Sequence, residues 1–174
     1  MLGVNRGEVV LVRHSDNWKE LFHKEKDLLE VIIGDEIKSI QHFGSTAVNG
    51  IEAKPIIDIL IGVESLEDVE EFNKEKLRAA GYYHLSRVQI NGKVVFAKFS
   101  DLVSLTKTHI LHVVEYEGDW WKKHILFRDY LNEHPSVAKE YEILKKSLAV
   151  KYPNDERSYT DQKKVFVDNI LSQI

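Results

Sequence analysis

The chain has 174 residues, no cysteine, and 24 basic against 28 acidic side chains, a formal net charge of −4. This excludes disulfides, thiolate metal sites and a cysteine nucleophile, and the basic surplus of duplex nucleic-acid binders is missing. With 43% hydrophobic and 30% charged residues, the composition is that of a folded domain with its own core, not of a disordered segment.

No apolar run reaches the ~20 residues that cross a bilayer. The first twelve residues, with Arg6 and Glu8, carry no signal-peptide core, so a cytoplasmic location is expected. The first strand is expected at Glu8–Arg13. Asp16 reads as the N-cap of a helix whose Trp18, Leu21, Phe22, Leu28, Leu29 and Ile32 share one stripe. A short strand follows at Ile37–Phe43 and ends on Gly44-Ser45. Ile56–Val63, apolar except for Asp58, reads as a central strand. Ser65 and Asp68 form a capping-box pattern that opens a helix to about Ala80, closed by Gly81. Strands are expected at Tyr82–Val88, Lys93–Phe99 and Thr108–Tyr116, with Asn91-Gly92 as the hairpin turn between the first two. From Asp119 the periodicity is helical: Trp120, Phe127 and Leu131 form one stripe, and Val137, Tyr141, Leu144 and Leu148 the next. Ser158 then caps a last helix carrying Phe166, Ile170 and Leu171. Strands early and helices late predict an α+β fold, a mixed sheet core over residues 1–117 with a helical lobe over 118–174, packed as one unit.

The stretch richest in chemistry is Gln41–Val63 (Q-H-F-G-S-T-A-V-N-G-I-E-A-K-P-I-I-D-I-L-I-G-V). A strand ending in Gly44-Ser45 allows backbone amides to approach an anion and adds a hydroxyl donor; the alternative is a plain strand-to-helix turn. Asp58, in an apolar strand, is costly unless paired or metal-bound. It either works chemically or caps backbone amides. If it is isolated, Asp58→Asn is expected to leave the metal-free protein as stable as before or more so. Strand alternation puts Ile56, Asp58, Leu60 and Gly62 on one face, and Thr108, Ile110, His112 and Val114 on one face of the later strand. His112 is thus a partner for Asp58 as base or metal ligand, or else a core histidine, whereas His109 points away. His42 is taken as a strand-edge histidine. Lys54, Arg128 and Lys163 are cations that either meet a phosphate or are solvated or salt-bridged, Arg128 to Asp129 or Glu133. Of Trp120 and Trp121, one is expected to pack the core.

Glycine-serine followed by a strand aspartate is the layout of polymerase-β-like nucleotidyltransferases. F-G-S-T-A-V-x-G-I-x-A-K-P-I-I-D-I resembles the signature of the GrpB family, a branch of that superfamily. Leu11–Glu25, Thr108–Val114, Leu126–Pro135, Tyr141–Ala149 and Tyr159–Lys163 also resemble family blocks, and Asn49-Gly50 departs from an expected Pro-Gly. The resemblance implies a nucleotidyltransferase-like fold that binds a nucleotide or other phosphorylated small molecule. Gly44, Ser45, Lys54, Arg128 and Lys163 would lie at the phosphate, and Mg2+ or Mn2+ on Asp58 and His112 would serve nucleotidyl transfer. A two-metal site wants a second carboxylate two residues after the first, and that position is Leu60. The alternative implied is a non-catalytic phospholigand-binding module on the same scaffold.

Overall fold

The stripe that begins at Trp18 forms helix α1 (Asn17–Ile33), which buries Trp18, Phe22, Leu29 and Ile33. A computed structural model describes residues 1–174. Five strands follow α1: β1 (Ser39–Phe43), β2 (Ile57–Val63), β3 (Tyr82–His84), β4 (Lys93–Asp101) and β5 (Thr106–Glu115). They form one mixed sheet in the order β1-β2-β5-β4-β3. β2 and β5 run parallel at its centre, and every other pair is antiparallel.

The central strands are apolar on both faces because both faces are covered. One face, with Ile57, Ile59, Ile61, Leu111 and Val113, packs under α1 in a core of 17 buried residues. The opposite face carries Leu60, Val114 and Phe43 and is closed by Trp121. Trp121 belongs to α3 (Asp119–Glu133), which is followed by α4 (Pro135–Lys151) and α5 (Glu156–Leu171). Val48, Ile51, Leu131, Ala138 and Tyr141 form a separate core between the β1–β2 connection, α3 and α4.

The α+β architecture is the expected one, with local departures. Glu8–Arg13 is not a strand: Val9 N–H donates to the Pro153 carbonyl, and Val12 and Ala53 exchange one reciprocal pair of bonds as an isolated bridge, so no ladder forms. Asp16 makes no side-chain cap. The helix expected from Ser65 to Ala80 is split. Its capping box forms, but it starts a 3-10 helix, Leu66–Glu71. Phe72 then turns extended, and Asn73 caps the short α2 (Lys74–Ala79) by accepting from the Lys76 N–H; asparagine favours such local bonds over continuing a helix. Gly81 does close α2, at φ +96°. β3 stops at His84, and Asn91-Gly92 turns the chain just before β4. Asp155, not Ser158, caps α5, accepting from the Ser158 N–H and hydroxyl.

Candidate functional site

All seven residues singled out from the sequence line one cavity of about 380 Å³, between the α3-facing side of the sheet and helices α3, α4 and α5. Gly44 and Ser45 enter at the end of β1, Asp58 comes from β2 and His112 from β5. Lys54 precedes β2, Arg128 comes from α3, and Lys163 comes from α5. The alternation argument holds, because the parallel register sets Asp58 against Ile110 and Leu60 against His112. His112 Nε2 lies 3.3 Å from Asp58 Oδ1. His109 faces the other way, toward Glu25.

Gly44 is required twice over. Its φ of +71° is a left-handed conformation, and a Cβ there would lie 2.5 Å from Asp58 Oδ2. The close approach is therefore to the protein's own carboxylate. Ser45 opens a single 3-10 turn, Ser45–Ala47, and its side chain neighbours the phenol of Tyr141, which burial pushes up to about 12.

Lys54 pairs with Glu156 at 3.2 Å. Lys163 makes no ion pair and lies 4.6 Å from the Tyr159 ring centroid. Arg128 uses Nε for Asp129 Oδ1 at 2.8 Å and Nη1 for the His42 carbonyl at 2.9 Å and Gln41 Oε1 at 3.1 Å. Its Nη2 has no protein partner, which leaves two of five guanidinium donors free.

Several further residues shape the site without a local sequence motif to mark them. Lys93 is buried at the start of β4, and its Nζ lies 3.3 Å from His112 Nδ1 and 2.7 Å from His124 Nε2. It also sits 4.2 Å from the Trp120 ring centroid. Burial lowers its pKa to about 8. The parity of β4 was the available signal, since Lys93 shares a face with Val95, which sits opposite His112. Lys145 donates to the Glu52 carbonyl at 2.5 Å while Glu142 accepts the Glu52 N–H at 2.7 Å, so α4 grips the segment leading to Lys54. Burial pushes Lys145 down to about 7.

A lysine ammonium only donates, so Lys93 fixes the neutral His112 tautomer: Nδ1 accepts from Lys93 and Nε2–H donates to Asp58. Burial first, and then the Lys93 charge, lowers the His112 pKa against the pull of Asp58. Burial alone would raise Asp58, but the His112 hydrogen bond with the charges of Lys163 and Lys54 outweighs it, and the carboxyl is held below its usual range.

This donor set does not fit the expected Mg2+ or Mn2+. A histidine bound to metal through Nε2 carries its proton on Nδ1 and needs an acceptor there, whereas Lys93 offers only donors. Leu60, fully buried, occupies the second-carboxylate position, and no three His, Asp or Glu side chains converge on one point. Asp58 is balanced by side-chain cations instead.

A family model described as GrpB protein matches residues 8–173. The Glutamate-rich protein GrpB of Alkalihalophilus pseudofirmus is 74% identical over 174 residues, covering 100% of both chains. The crystal structure of conserved protein GrpB from Enterococcus faecalis superposes with a TM-score of 0.81 at 29% identity, covering 94% of this chain and 98% of that one. A crystal structure of the Cid1 poly(U) polymerase reaches a TM-score of 0.52 at 17% identity, over 79% of this chain and 42% of that one. At that identity the likeness is one of fold, which is nucleotidyltransferase-like. No helix is long and apolar enough to cross a membrane. With the motif blocks, the family model and a relative matched from end to end in agreement, the chain belongs to the GrpB family.

Proposed function

We propose that the protein binds a nucleotide or other phosphorylated small molecule in the Asp58 cavity, and that lysine and arginine side chains rather than divalent ions neutralise the phosphate. The observation that carries this reading is Lys163. It has no ion-pair partner, Asp58 and Glu156 hold its charge against the lowering of its pKa by burial, and its cavity is also lined by Lys54, by Arg128 with an unpaired Nη2, and by Ser45. Charge-assisted hydrogen bonds from such groups are the strong contacts for phosphate oxygens, and arginine can meet two of them at once. Asp58 would repel a phosphate placed directly on it, so the phosphate belongs on the Lys163–Arg128 side and a ligand hydroxyl or amine at Asp58.

The reading stops at binding. Nucleotidyl transfer in this fold class draws on paired carboxylates, and the partner position is Leu60. The test is thermal unfolding with millimolar ADP or pyrophosphate, in chelator and in Mg2+. A bound ligand stabilises in proportion to the logarithm of its concentration over Kd. Equal stabilisation in both buffers, lost in Lys163→Met, is the expected result. Stabilisation only with Mg2+ would favour transfer chemistry, and none in either buffer would remove the phosphate assignment.

A further inference from the structure

A larger cavity, of about 650 Å³, lies at the free edge of β1. It is walled by His14 and Ser15 just before α1, by Lys19 in its first turn, by Gln41 and His42, by Asn49 and by Arg128 with Asn132 from α3. Thr46 and Arg128 line both cavities, so the turn Ser45–Ala47 is the partition between them.

The chemistry of this lining differs from that of the first cavity. Only Phe22 and Ala47 among its 14 lining residues are hydrophobic, and the rest carry polar or charged side chains. Its charges cancel: Arg128 is paired with Asp129, and Asp16 faces the cavity along with Lys19. An anion therefore gains less here than beside Lys163. What remains is a mixture of uncommitted donors and acceptors. The Asn49 side chain and the Ser15 hydroxyl have no partner in the protein. A wall that both donates and accepts, with little net charge and few hydrophobic residues, suits hydroxyl groups, each of which also does both.

We propose that this second cavity binds an uncharged polyhydroxylated group, a sugar or polyol, beside the phosphate held in the first. The inference rests on the phospholigand reading for its geometry: a sugar phosphate would place its phosphate by Lys163 and its hydroxyls past Thr46 and Arg128. The group is then either part of the phosphorylated ligand or a separate molecule.

Calorimetric titration separates these cases. The probes are inorganic phosphate, a panel of free sugars and polyols (a pentose, a hexose and a linear polyol), and their monophosphates. If sugar and phosphate are joined, at least one monophosphate binds tenfold or more tighter than inorganic phosphate. If they are separate, a free sugar binds in the presence of phosphate. In both cases Asn49→Leu removes the gain and leaves the Kd of inorganic phosphate within twofold. Asn49 is exposed and its side chain supports no other element, so the variant should fold; His23→Phe, at another exposed lining position, is the second variant. If neither a free sugar nor a monophosphate improves on phosphate alone, the proposal is overturned, while phosphate binding itself still reports on the first cavity. A sugar that binds where phosphate does not would keep this proposal and remove the other.

Discussion

Asp58 reverses the expectation attached to it. Read as an isolated carboxylate, it should weaken the fold, and Asp58→Asn should be neutral or stabilising. In the folded chain it accepts from His112 at 3.3 Å and faces Lys163 and Lys54, which hold its pKa below the ordinary value. A carboxyl held low contributes stability above its unfolded pKa and loses it as pH falls. Asp58→Asn should therefore cost about 1.5 to 3 kcal/mol at neutral pH, the range for a charge-assisted hydrogen bond. Denaturant unfolding at pH 7.5 checks this, and a variant as stable as the parent would mean that the lysines do not reach the carboxylate. Gly44→Ala should be the more damaging change. The left-handed φ alone costs roughly 1–2 kcal/mol for a side chain, and the new Cβ would displace Asp58 Oδ2 from 2.5 Å away.

At the level of strands and helices, the legible part of the site was whatever depends on two-residue alternation. β2 and β5 are regular, so parity alone put Asp58 and His112 on one face and His109 on the other. Lys93 obeys the same parity, because it starts a regular strand on the face of Val95, which sits opposite His112. Glu156, Tyr141 and Tyr159 reach the cavity only through the packing of α4 and α5, and no local pattern reports which turn of a helix meets a sheet. The failed Glu8–Arg13 strand has the same origin: its β-branched pattern is real, but no sheet edge lies alongside to pair with it. Lys93 offers a measurement at this scale. Its ammonium disfavours a second positive charge on His112 and on His124. Lys93→Met should raise the titration midpoints of both rings, read from their NMR chemical shifts against pH. Unchanged midpoints would mean that Lys93 is not held between the two imidazoles.

Across the whole molecule, buried histidines tie the fold to pH. Burial lowers His42 and His109 from near 6.5 to about 4. His42 is stacked on Phe22 at 5.0 Å and bonded to Thr46 at 2.9 Å, with Asp58 pulling its pKa up and Arg128 and His23 pushing it down. His109 is enclosed on the opposite face, bonded to Thr108 at 2.9 Å, with Glu25 raising and Lys98 lowering its pKa. Between pH 6.5 and 4 the unfolded chain takes up a proton at each ring and the folded chain does not. The unfolded state therefore gains as pH drops, and stability falls by up to about 1.4 kcal/mol per pH unit for each such histidine. The depressed Asp58 acts in the same direction lower down, losing its contribution as the carboxyl takes a proton. Opposing acid-stabilised groups are few, since Lys93 and Lys145 are lowered as well and change protonation only near neutral or alkaline pH. Urea midpoints measured from pH 7.5 down to 4.5 should fall steadily below pH 6.5, and His109→Gln should flatten the slope by one proton's worth. A midpoint that stays level from pH 6.5 to 4.5 would show that these rings protonate inside the fold and that the walls around them open to water.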